Sequence, residues 1–153
     1  MMDVTFRLAG VKDVELLLEF MREFYEHEGL AFEEGAAREA LGRILSDGSL
    51  GRVWVIEVDA GAVGYVVLTL GFSLEFRGRD AFVDEFYVRE GARGRGVGRR
   101  TLEFVEGQCA GLGVRALHLE VERGNTAAQG LYRGFGFRDH DRYLMTKRVD
   151  GST

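Results

Sequence analysis

The sequence predicts an α/β fold, a mixed central sheet covered by helices. Three observations predict it. Strand-like and helix-like segments follow one another as strand, two helices, three strands, helix, strand, helix and final strands, the pattern of a sheet with helices on its faces. Residues 81–121 read as strand, helix, strand, a unit that closes as a right-handed parallel crossover. The chain has 153 residues, 46% of them hydrophobic and 29% charged. That is the length of one ordinary domain, expected to span 1–153, with enough apolar surface for a core and a composition unlike that of a disordered chain.

Val4, Thr5, Phe6, Arg7 and Leu8 alternate as a first strand. Asp13 can cap a helix that carries Val14, Leu17, Leu18, Met21, Phe24 and Tyr25 at helical spacing. A second helix is predicted over 33–45, with Ala37, Leu41, Ile44 and Leu45 on one side, ended by Asp47 and Gly48. Residues 52–58 form a near-continuous apolar strand and residues 62–72 a longer one. Ala60 and Gly61 between them predict a hairpin. Residues 81–88 read as the next strand. A helix follows over 96–112, with Val97, Leu102, Val105, Cys109 and Leu112 as one stripe. Residues 115–121 read as a strand and 126–134 as a short helix. Phe137 and residues 143–149 are expected to supply final strands.

Several function classes are excluded early. The single cysteine, Cys109, allows no intramolecular disulfide, zinc knuckle or paired-thiol motif. His27, His118 and His140 are isolated, with no metal-ligand spacing, so no metal is expected. No apolar run approaches the ~20 residues of a membrane span, and no secretory signal pattern opens the chain. A cytoplasmic protein is the expectation. The net charge is −5, which disfavours nonspecific nucleic-acid binding. That charge is uneven. Residues 1–34 hold nine acids against three bases, a net of −6, whereas residues 89–100 hold five arginines against Glu90, a net of +4.

The arginine-rich stretch is also glycine-rich. Phe86-Tyr87-Val88 ends a strand, Arg93-Gly94-Arg95-Gly96-Val97-Gly98-Arg99 turns, and an amphipathic helix starts. A helix's first-turn amides and its dipole favour an anion, glycines let backbone approach phosphate oxygens, and arginines add charge-assisted contacts. A phosphate or diphosphate site is therefore predicted over 93–99. The bland alternative is a solvated surface loop. A P-loop is excluded because no Gly-Lys-Ser/Thr ending exists. A dinucleotide fingerprint needs a third glycine where Arg99 stands, although Glu120 lies near the distance of a ribose acid.

The same segment resembles the acetyl-coenzyme-A loop of the GNAT superfamily of N-acetyltransferases, Arg/Gln-x-x-Gly-x-Gly/Ala. Here it reads Arg93-Gly94-Arg95-Gly96-Val97-Gly98, five residues after Val88. A second family signature, Asn-x-x-Ala-x-x-Leu-Tyr-x-x-x-Gly-Phe, is matched at Asn125, Ala128, Leu131, Tyr132, Gly136 and Phe137. The proline that many members carry in the loop is missing. The resemblance implies a mixed central sheet of six to seven strands, about four helices, and splayed central parallel strands that admit the pantetheine arm. It also implies that backbone groups of Phe86, Tyr87 and Val88 pair with that arm and that residues 93–99 hold the diphosphate. Asn125 and Ala128 would flank the arm. The Val88 amide would face the thioester carbonyl.

The reaction implied is direct attack of a neutral amine on acetyl-coenzyme A. An alkylammonium, with a pKa of about 10.4, must first lose a proton, and the leaving thiolate must gain one. Tyr132 fits the acid, with an aromatic core residue as its bland alternative. Asp84, Glu85 and Glu120 are candidate bases. Alternation along a strand points Asp84 and Glu85 to opposite faces, so only one is expected to face the acceptor. A solvated strand end is the alternative for each. Trp54 and Cys109 read as core. Tyr25, Glu26 and Glu28 end the first helix, which in this family borders the acceptor pocket. A loose likeness of residues 71–88 to the polyamine branch, together with the acidic first 34 residues, favours a cationic small amine: a polyamine, an aminoglycoside or a lysine-like group. A protein lysine or amino terminus ranks second and a non-catalytic acyl-coenzyme-A sensor third. Homodimers are expected by analogy alone.

Overall fold

Strand β1 (Val4–Leu8) leads through a 3-10 turn (Val11–Asp13) into helix α1 (Val14–Glu28). Helix α2 (Glu34–Ser46) follows, then strands β2 (Gly51–Val58), β3 (Gly61–Ser73) and β4 (Gly78–Val88), helix α3 (Val97–Leu112), strand β5 (Val114–His118) and helix α4 (Thr126–Gly134). This computed structural model describes residues 2–151. The strands form one sheet in the order β1-β2-β3-β4-β5. The first three pairings are antiparallel and β4–β5 is parallel, so α3 is the predicted crossover.

Local chemistry explains most boundaries. Asp59 and Ala60 both have positive φ, 50° and 67°, which a two-residue hairpin turn of the primed type demands. Glu33 accepts hydrogen bonds from the amides of Gly35 and Ala36 and so caps α2. Asp13 does not cap α1 as expected. Its carboxylate turns back to accept from the Gly10 amide at 2.9 Å and from Arg7 Nη1 at 3.0 Å.

The period-2 pattern of β2 and β3 feeds two cores. Val53, Val55, Tyr65 and Val67 face α1 and α2, where they meet Leu17, Leu18, Phe20 and Leu41. Trp54, Ile56, Val66 and Leu68 face α3, where they meet Val97, Val105 and Cys109. Trp54 and Cys109 are core residues, as expected.

Two departures shape the site. The first is a bulge in β4. Val67 opposes Glu85 and Leu68 opposes Val83, so Asp84 is an extra residue with no partner in the register. Val83 and Phe86 both pack on the α3 side. The two residues between them therefore share the other face. The expectation that Asp84 and Glu85 point to opposite faces is wrong, because the bulge breaks the alternation on which it rested. The second departure is the strand count, five among the described residues rather than six to seven. Residues 143–149 form no ladder, and neither does Phe137. Strand composition is present there, but a strand also needs an edge. The residues that lead into that segment are tied to α4 by the Arg133–Asp139 ion pair at 2.6 Å and to the β3–β4 turn by Arg142–Glu75 at 3.3 Å. Strand β5 also stops at His118, short of the expected residue 121.

Candidate active site

The parallel pairing of β4 with β5 runs from Arg79↔Val114 to Phe82↔His118 and ends there. Strand β4 continues to Val88, so its edge over residues 83–88 lacks a β5 partner. This is the predicted splay. Backbone direction alternates along a strand, which says which groups line the gap. The Arg89 amide donates to Val63 O at 2.8 Å, on β3. The amides of Val88 and Phe86 therefore point the other way, into the gap. Tyr87 lies between them and its backbone is directed at β3, opposite Tyr65.

The glycine-arginine loop follows. Gly94 and Gly96 have φ of +76° and +79°, a region that residues with a side chain enter at a cost. Gly96 is the N-cap of α3 and supplies no side-chain cap, and the first turn of α3 holds no acid. By contrast, α2 and α4 are capped by Glu33 and Asn125, and α1 has Glu15 in its first turn. Helix α3 thus presents uncapped first-turn amides at an exposed, arginine-flanked loop, which is what an anion requires. Arg93 is partly engaged: its Nε donates to Val88 O at 2.6 Å and its guanidinium lies 5.6 Å from the Tyr87 ring centre. Arg99 lies over the Phe135 ring. Arg95 is exposed. Gly98 sits in the contact between helices, where an added Cβ would come 3.2 Å from Leu131 Cδ2.

Gly96→Val tests the cradle. Space is open around an added Cβ, but the left-handed φ costs a non-glycine residue about 1–2 kcal/mol, more when β-branched. Strain thus adds to the obstruction that a side chain would place where the backbone is to approach a phosphate. Acetyl-coenzyme A should bind at least tenfold more weakly by calorimetry, with a small fall in Tm. Wild-type affinity would move the diphosphate site elsewhere.

Three carboxylates were candidates for the base. Glu85 accepts two phenolic hydrogen bonds, from Tyr25 at 2.5 Å and Tyr65 at 2.8 Å. Burial raises its pKa above the usual carboxylate range. The two phenols oppose that shift and the neighbouring Asp84 adds to it. Surrounding protein also raises the Asp84 carboxyl, although solvent reaches it. Asp84's charge acts on Tyr25, Tyr65 and Glu85 together, in keeping with one shared face. Glu120 is exposed beyond the end of β5. It lines, with Tyr132, a cavity of about 850 Å³ between β5, α4 and residues 135–142.

Tyr132 is half-buried. Burial, then the charge of Glu28, raises its phenol pKa. That influence ties α4 to the end of α1. Asn125 Oδ1 accepts from the Ala128 amide at 3.1 Å. This asparagine is therefore a helix cap whose Nδ2 stays available, and Ala128 has no free amide to offer a ligand. His118 is not isolated: its Nε2 lies 3.2 Å from Asp80 Oδ2, between the rings of Phe76 and Phe82. The sequence pattern missed the Tyr65 contact with Glu85. No local signal carries it, since the two residues are 20 apart on neighbouring strands. Among the described residues no group of His, Cys, Asp and Glu is arranged to hold a metal ion, and no helix is long and apolar enough to cross a membrane.

The chain is similar to known proteins over most of its length. A thialysine N-ε-acetyltransferase from Bos taurus is 27% identical over 148 residues, covering 89% of this chain and 85% of its own. The crystal structure of an integron cassette protein from the mobile metagenome of Cole Harbour Salt Marsh has 41% identity and a TM-score of 0.84, covering 94% of this chain and 90% of that one. The fold is shared with a predicted acetyltransferase from Clostridium acetobutylicum crystallised with acetyl-CoA, at 17% identity and a TM-score of 0.79, covering 95% and 96% of the two chains. Residues 15–137 match the acetyltransferase (GNAT) family, so the unpaired β4 edge, the uncapped α3 amides and the tyrosine of α4 belong to a member of that family, an acyltransferase.

Proposed function

We propose that this chain moves an acetyl group from acetyl-CoA to a primary amine of a cationic small molecule by direct attack. The observation that carries the reading is the pair of carboxylates, Asp84 and Glu85, turned to one face of β4 by the bulge, beside the unpaired edge. Two neighbouring carboxylates attract an ammonium, and a carboxylate of raised pKa is a better base for it near neutral pH. The relative that acetylates thialysine supports an aliphatic amine acceptor.

The residues divide the work as follows. The uncapped amides at the start of α3, with Arg95 and Arg99, hold the diphosphate. Amides of Phe86 and Val88 pair with the pantetheine arm and the acetyl end. The Val88 amide donates to the thioester carbonyl oxygen and stabilises negative charge as it develops, a contribution of about 3 kcal/mol in comparable donors. Asn125 Nδ2 and the Ala128 methyl flank the arm from α4. Glu85 takes a proton from the ammonium, and Tyr132 gives one to the departing sulfur. Glu120 lies across the Tyr132 cavity and serves acceptor binding rather than proton removal.

The test is thiol release from acetyl-CoA against polyamines, aminoglycosides, free amino acids with side-chain amines, and peptides. Turnover should be fastest with a small cationic amine. Turnover with peptides alone would make the acceptor a protein. Tight acetyl-CoA binding without turnover on any amine would make the chain a sensor.

A further inference from the structure

Helix α1 and strand β3 each send one phenol to the same carboxylate. Tyr25 donates to Glu85 Oε2 and Tyr65 to Glu85 Oε1, from 60 and 20 residues away in sequence. We propose that Tyr25 and Tyr65 are positioning residues that lock Glu85 as the general base, choosing it over Asp84 and Glu120. This rests on the reading of the chain as an N-acetyltransferase with a carboxylate base.

Three features carry the inference. First, the bonds go to different oxygens, so together they fix the carboxylate's plane as well as its place. Each oxygen keeps a lone pair for an N–H of the acceptor. Second, the donors are themselves immobile. Tyr65 is fully buried, with its ring 6.3 Å from that of Phe20 and 6.5 Å from that of Tyr87. The Tyr25 ring meets Phe24 and Phe32 edge-on at 5.8 and 5.6 Å. Third, burial keeps both phenols protonated, since it raises their pKa values further above neutral, with Glu85's charge acting in the same direction. They stay donors while Glu85 alternates between carboxylate and acid. Asp84, the bulged residue, receives no such pair of bonds, and Glu120 stands exposed beyond β5.

The proton step balances. An ammonium N–H bond breaks and an O–H bond forms on Glu85. The freed lone pair forms the N–C bond to the thioester carbon. As the C–S bond breaks, the sulfur takes the Tyr132 proton, and the nitrogen's second proton restores the phenol. Glu85 returns its proton to solvent after product leaves. The groups whose charge or hydrogen bonds bear on Glu85 are Tyr25 from α1, Tyr65 from β3 and Asp84 from β4 itself. The phenols favour the carboxylate form, so losing one moves Glu85 upward. Each removed bond to a charged acceptor corresponds to about one pH unit.

The experiment compares wild type with Tyr25→Phe, Tyr65→Phe and Glu85→Gln. It measures kcat/KM from pH 5 to 9 with the best amine of the panel. It also follows the Glu85 carboxyl by carbon-13 NMR titration of the protein without acetyl-CoA. Glu85→Gln identifies the Glu85 resonance, and thermal melts verify that each variant is folded. The expected result is that the acid limb of kcat/KM and the Glu85 titration both move up by about one unit in each Phe variant. If neither moves while Glu85→Gln abolishes turnover, the clamp is overturned and the base stands. If the titration moves and the acid limb does not, Glu85 is not the base and the proposal falls with that assignment. Should Tyr65→Phe fail to fold, Tyr25→Phe alone decides by the same criteria.

Discussion

Tyr132→Phe should lower kcat roughly 10²- to 10⁴-fold, the range for loss of a positioned general acid, while the Kd for acetyl-CoA stays near wild type. The substitution removes one oxygen from a half-buried ring that packs 6.0 Å from Phe137, so the fold should survive. The pH dependence follows from the direction of the shift. Burial and Glu28 raise the phenol, so it keeps its proton through neutral and mildly alkaline pH. An alkaline fall in rate near pH 8 or 9 would therefore belong to another group, such as an acceptor whose binding needs the ammonium form. Stopped-flow measurement of thiol release at saturating acetyl-CoA reads the effect directly. A variant that retains more than a third of wild-type kcat would remove Tyr132 from the acid role, and an acid closer to the gap would have to be found.

The residues explain how far the sequence reaches. Secondary elements follow from local period and composition, and β1, α1, β2, β3, α3 and α4 all lie within a few residues of their predicted bounds. The cradle is equally local: the glycines, the uncapped helix start and the arginines fall within residues 93–99. What escapes is set by partners distant in the chain. The bulge at Asp84 depends on how β4 registers with β3, and neither strand announces it. The Tyr25–Glu85–Tyr65 contact joins three elements that only the closed sheet brings together. Residues 143–149 have strand composition, but composition does not say which edge will receive them. The proposed donor cradle is thus a local pattern, whereas the order of the carboxylates is set by contacts between strands.

Gly64→Ala extends the same argument from register to catalysis. Gly64 opposes Val88, and an added Cβ would overlap the Tyr87 carbonyl oxygen and stand 3.0 Å from Val88 Cα. These are backbone atoms, so β3 and β4 must separate at the point where the Val88 amide is aimed. Overpacking of this kind costs about 1–3 kcal/mol, visible as a lower Tm. The catalytic loss should exceed the stability loss, because a displacement of about 1 Å at a reacting group can cost about 10²-fold. Gly51→Ala is the matched control. Its Cβ would overlap the Leu68 carbonyl and approach Thr69 Cα at 3.1 Å, a similar clash between β2 and β3 without contact to Val88. Gly61→Ala meets only Val58 O at an ordinary 3.6 Å and should be neutral. Measured well below each variant's Tm, kcat/KM should fall steeply in Gly64→Ala and little in Gly51→Ala. Equal losses in the two would mean that the Val88 amide has no special part in the transfer, and the oxyanion would have to be stabilised from elsewhere in the gap.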